Sequence, residues 1–174
     1  ALRNRLDKGL SPSTLGDWLV CPLDFHFKHL LGLREIEAFD VRIAPNVMGE
    51  ALHAAMEAAY GPMMGRPLEA DALEQAADRM GAGIRRELLP HMGEEQLRSG
   101  QPLLQVHMAV HAAQRFLRSE AALVRGGMVI TVLEQESALL QPLSKAAAAI
   151  GSPVNLRGRL DRVDRANGML RILD

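Results

Sequence analysis

Apolar residues along this chain follow two periods, and the change falls at Gly126-Gly127. Before it they recur at about every third to fourth position, the spacing that gathers them on one face of a helix. Ser11-Pro12-Ser13 supplies capping chemistry ahead of Leu15, Trp18 and Leu19. Pro22 interrupts, and Phe25, Phe27, Leu30 and Leu31 continue to a stop at Gly32. A polar connection over 34–42 follows. The next helix opens near Pro45-Asn46, with Val47, Met48, Ala51, Leu52, Ala55, Met56 and Ala59 as its apolar stripe, and closes at Gly61-Pro62. Two more helices are expected over about 69–89 and about 103–125.

Beyond Gly126-Gly127 the pattern becomes β-branched, and strands are expected over 129–136, 154–164 and 169–173. The alanine run at 146–149 reads as a loop or a short helical excursion. Helices first and consecutive strands afterwards point to an α/β fold with α+β character, a helical N-terminal half packed on a small mixed β-sheet. There is no repeat and no low-complexity segment. At 174 residues the chain suits one domain with a substantial core. Residues 1–9 are read as a leader or linker and 10–174 as that domain.

Composition narrows the function classes. A hydrophobic share of 48% excludes a disordered tail, and aromatics at 3% leave the core to Leu, Ala, Val, Ile and Met. The formal net charge of −1 excludes a uniformly basic nucleic-acid coat but not a local basic patch. Cys21 is the single cysteine, which excludes an internal disulfide and a multi-cysteine zinc site. With no apolar run long enough for a bilayer and no leader-like start, no membrane partner is expected and a cytoplasmic location is the default. No Gly-rich phosphate loop with Lys-Ser/Thr is present, so nucleotide hydrolysis is not expected of this chain. The absence of an initial Met and the stop at Asp174, inside a strand-like run, suggest a piece of a larger protein.

The richest stretch is Gly158-Arg159-Leu160-Asp161-Arg162-Val163-Asp164 followed by Asn167-Gly168 and Met169 to Asp174. Asn-Gly between two strand-like runs signals a type I′ hairpin, whose turn needs positive φ at both central residues. Counting outward from that turn pairs Asp161 with Asp174 on one face, with Cβ atoms roughly 5 Å apart. Two facing carboxylates repel unless a divalent cation lies between them, and Mg²⁺ is bound through one or two carboxylates with water and substrate phosphate. From pairing alone, a solvated hairpin face neutralised by Arg159, Arg162 and Arg171 is the plainer reading, and a one-residue slip would separate the aspartates.

Four segments in order resemble the RecB-like and AddB-like branch of the PD-(D/E)XK nucleases. These are Ser11-Pro12-Ser13-Thr14-Leu15 with Trp18, Cys21-Pro22 and Phe25-His26-Phe27; Gly49-Glu50-Ala51-Leu52-His53; Gly158 to Asp164; and Ile172-Leu173-Asp174. The resemblance runs from Leu10 to the end. It implies a restriction-endonuclease-like core, incomplete at the C-terminus, and Mg²⁺- or Mn²⁺-dependent exonuclease-type hydrolysis of DNA in repair or recombination, with a helicase domain or subunit as associate. Carried over, His53, Asp161 and Asp174 would be metal residues, and Glu136 the further catalytic glutamate, although Glu134 shares its strand parity. The family's lysine would fall two positions past Asp174, so the stretch alone is expected to be inactive. Arg157, Arg159 and Arg162 are candidates for backbone phosphate or for balancing the aspartates. Cys21 matches the first iron–sulfur ligand of some relatives, whose other three would lie beyond Asp174; a buried or capping cysteine is the plainer reading. His107 and His111 are spaced as a zinc pair but lack the intervening Glu of a zinc peptidase and are read as ordinary helix residues. His26, His29 and His91 show no partner pattern. The rival function is a non-catalytic relic of the fold that binds DNA or serves as a scaffold.

Overall fold

A computed structural model of the chain describes residues 6–33, 42–143 and 154–173. The chain separates into two compact units, one of residues 1–37 with 137–160, the other of 38–136 with 161–174. In the first unit, helix α1 (Pro12–Val20) is capped by Ser11, whose side chain accepts from the Thr14 amide. Pro22 starts the short α2 (Pro22–Phe25), a π-helical turn follows (His26–Leu30), and Gly32 at φ +71° ends the run. Leu10 bridges Leu156 in parallel, with Leu10 N–H donating to the Asn155 carbonyl.

The second unit holds α3 (Pro45–Tyr60), α4 (Ala70–Leu88) and α5 (Gly100–Arg125), with one-turn 3₁₀ segments at Gly61–Met63 and Gln96–Arg98. Pro45 occupies the first turn of α3, where a missing N–H is tolerated. The apolar stripes of the three helices pack together: Ala51, Ala55 and Tyr60; Leu73, Ala77, Met80, Ile84 and Leu88; Val106, Ala113, Leu117 and Ala121. Ile130, Val132 and Ala166 bring the sheet into that core.

The strands are β1 (Ile130–Pro142), β2 (Asn155–Ala166) and β3 (Met169–Leu173), hydrogen-bonded in the order β1-β2-β3. The turn between β2 and β3 is the expected one. Asn167 and Gly168 lie at φ +47° and +87°, and the antiparallel register runs from Ala166–Met169 to Arg162–Leu173. Asn167 further fixes the hairpin to the start of β1: its Oδ1 accepts from the Val129 amide and its own amide donates to the Val129 carbonyl, each at 2.9 Å. The α/β architecture follows expectation and is consistent with a restriction-endonuclease-like core, though these three strands form an antiparallel rather than a mixed sheet. A two-residue turn permits only an antiparallel pair. β1 runs past its expected end to Pro142. The alanine run at 146–149 lies outside the described residues.

Candidate metal centre

His53 sits in the middle of α3, two positions past Ala51 and two before Ala55, both of which are buried. That offset rotates it off the core stripe toward the flank, and its side chain remains 46% exposed. From there Nδ1 lies 3.3 Å from Glu136 Oε1 and 3.5 Å from Asp161 Oδ2. Helix α3, strand β1 and strand β2 each contribute one residue, and one donor atom from each lies within 4.8 Å of the others. Oxygen donors sharing one divalent ion at about 2.0–2.6 Å must lie within roughly 5 Å of one another. An imidazole with two carboxylates therefore fits a divalent cation in both distance and donor chemistry.

Glu136 reaches this position through an unusual backbone. Its φ is +51°, a left-handed conformation that costs a residue with a Cβ about 1–3 kcal/mol. Regular pleating would send neighbours to opposite faces, yet Gln135 and Glu136 both line the same pocket of about 320 Å³ with His53, Asp161 and Leu52. Glu134, of equal strand parity, is exposed and outside the group. Asp174 lies outside the described residues, whose register ends one pair short of it.

The arginines divide. Arg157 and Arg159 are exposed on β2. Arg162, a candidate for backbone phosphate or for balancing the aspartates, is engaged by carboxylates. It is 5% exposed and clamped end-on by Glu120, with Nη1 at 2.9 Å and Nη2 at 2.8 Å from the carboxylate oxygens. Nη2 also donates to Asp164, and the guanidinium lies 4.4 Å over the Tyr60 ring. Tyr60 donates its hydroxyl to Glu120, and Arg171 pairs with Asp164 at 2.8 and 2.9 Å. Burial alone would lower the Arg162 pKa, but Glu120, Tyr60 and Asp164 outweigh it and hold it raised. Burial would raise that of Asp164, but Arg171 and Arg162 hold it below the usual carboxylate range. Burial, with Glu120 beside it, drives the Tyr60 phenol far above its ordinary value, so it stays a donor.

Sequence reading has Arg162 and Arg171 balancing aspartates on a solvated face but misses Glu120 and the burial of the cluster, although a signal existed. Glu120 falls on the buried stripe of α5, three positions past Leu117, and Arg162 and Asp164 alternate onto the same buried set as Ala166. Also missed was His29, whose Nε2 lies 2.7 Å from Asp17 Oδ2 and holds the Asp17 carboxyl low. Cys21 is partly exposed and precedes α2 without a side-chain cap. His107 and His111 are exposed on α5 and join no candidate metal group among the described residues.

Residues 9–174 match the family model of the PD-(D/E)XK nuclease superfamily. No curated protein was found to match the chain. No helix among the described residues is long and apolar enough to cross a membrane.

Proposed function

The chain belongs to the PD-(D/E)XK nuclease superfamily, and from that premise we propose that it hydrolyses DNA phosphodiester bonds with Mg²⁺ or Mn²⁺, as the exonuclease-type, RecB/AddB-like part of a repair or recombination protein associated with a helicase. The observation that carries this is the convergence of His53, Glu136 and Asp161 from three elements on donor atoms within 4.8 Å. Asp161 and Glu136 supply hard oxygen donors and His53 Nδ1 completes the side toward α3; the family resemblance adds Asp174 as a further metal residue. A cation held there polarises the scissile phosphate and lowers the pKa of attacking water. Gly49, one turn before His53, supports access. A Cβ built on it meets nothing within 4 Å, which leaves room beside the histidine for a close-approaching backbone. Exposed Arg157 and Arg159 suit backbone phosphate, which positions a duplex or strand without reading sequence.

The test is digestion of linear DNA, with Mg²⁺ or Mn²⁺, with chelator, and with Asp161→Asn, by a protein in which this chain continues past Asp174 to the family's expected lysine, since the 174-residue stretch alone is expected to be inactive. Chelation should stop cleavage, and Asp161→Asn should slow it by roughly 100-fold or more, because the charge stabilised in the transition state loses its counter-charge. DNA binding without cleavage under any metal, unchanged by Asp161→Asn, would establish a binding module instead.

A further inference from the structure

Beside the metal residues lies a charged assembly with no solvent role. Glu120, Asp164 and Arg162 are 4%, 0% and 5% exposed, and Arg171 closes the set. Two carboxylates face two guanidiniums, with Arg171 partly exposed, so the set as a whole carries no net charge and loss of a buried member unbalances it. The members come from α5, β2 and β3, and Tyr60 from the end of α3 packs under the Arg162 guanidinium. Tyr60 stands seven residues after His53, about two turns on, which places both on nearly the same side of α3. Arg162 directly follows Asp161. Tyr60 and Arg162 line the same pocket as His53, Glu136 and Asp161.

Resting on the metal-site reading above, we propose that Arg162 is a positioning residue: gripped by Glu120 and stacked over Tyr60, it fixes the separation of His53 on α3 from Asp161 on β2. The geometry suits this task better than simple charge neutralisation. A guanidinium is planar and can donate to two carboxylate oxygens end-on while presenting its face to a ring, which an ammonium cannot do. Its three contacts lie on α5, on β2 and on α3, so it constrains translation and rotation of the strand against the helix that carries the histidine.

The experiment uses the full chain and reads Mn²⁺ binding by electron paramagnetic resonance, with circular-dichroism melting alongside. Glu120→Leu with Arg162→Met exchanges the buried pair for apolar groups of similar volume, a change that is often neutral for stability. The expected result is a folded protein whose Mn²⁺ affinity falls roughly 10- to 100-fold, as when the groups that orient metal ligands are removed. Arg162→Lys, which keeps the charge and covers the case in which the double variant fails to fold, should not restore affinity. Wild-type Mn²⁺ affinity in a folded double variant, or in Arg162→Lys, would overturn the positioning role while leaving the metal site standing. If Asp161→Asn itself binds Mn²⁺ as the wild type does, the metal-site reading is what has failed, and the positioning role falls with it.

Discussion

Glu136 is held at φ +51°, a conformation a residue with a Cβ adopts only when its surroundings impose it. The strand sequence gives no hint of this, because β-branched alternation predicts a regular pleat through that point. The sequence reading prefers Glu136 to Glu134, which shares its parity, and in the structure Glu136 stands in the group with His53 and Asp161 while Glu134 is exposed. Gly49 is the opposite case. It lies inside α3 at a place where glycine costs a helix about 1 kcal/mol relative to alanine, and nothing in the described structure crowds it. Gly49→Ala should therefore stabilise the protein by roughly 0.5–1 kcal/mol, seen as a melting temperature about 1–4 °C higher. If the open space serves substrate, the same variant should cleave DNA more slowly at unchanged Mn²⁺ affinity. An unchanged or lower melting temperature would show that the position is constrained by something the described packing does not contain.

At the scale of elements, the β2–β3 hairpin was legible to the residue because its turn needs two positive φ angles and Asn-Gly is the pair that supplies them most readily. The charged cluster behind it was not, because each member looks like surface until partners from other elements are known. Glu120 is the sharpest case, a carboxylate on a helix stripe, satisfied by Tyr60 and Arg162 sixty residues before it and forty-two after. Glu120→Ala should cost about 3–5 kcal/mol, since it leaves the Arg162 charge buried beside a single carboxylate. The pH dependence follows from Asp164, whose folded pKa is held below its ordinary 3.8. A depressed carboxyl contributes stability above its unfolded pKa and loses it as pH falls through the folded value. The stability difference between wild type and Asp164→Asn should thus be flat from about pH 5 to 9 and close only below about pH 4. Arg162 and Arg171, both raised, hold their contribution throughout that window. A difference that already shrinks near pH 6 would mean that a group other than Asp164 controls the cluster.

For the whole molecule, composition said little: a net charge of −1 shows nothing of the acidic and basic residues sorted into one buried cluster and one half-open site. The order of short motifs along the chain was more informative, since His53 and Asp161 stand over a hundred residues apart yet meet at 3.5 Å. If that site binds a divalent ion in the folded chain alone, stability must rise with ion concentration by mass action. At about one hundred times the dissociation constant the gain is near 2.7 kcal/mol, which for a protein of this size corresponds to a melting temperature roughly 5–11 °C higher. Mn²⁺ added to the full chain should produce that shift, and excess chelator should reverse it. Asp161→Asn should melt no lower than wild type without metal, since it removes one of two neighbouring carboxylates, and should fail to respond when Mn²⁺ is added. A Mn²⁺ shift that persists in Asp161→Asn would place the bound ion elsewhere and separate the fold's stability from the group formed by His53, Glu136 and Asp161.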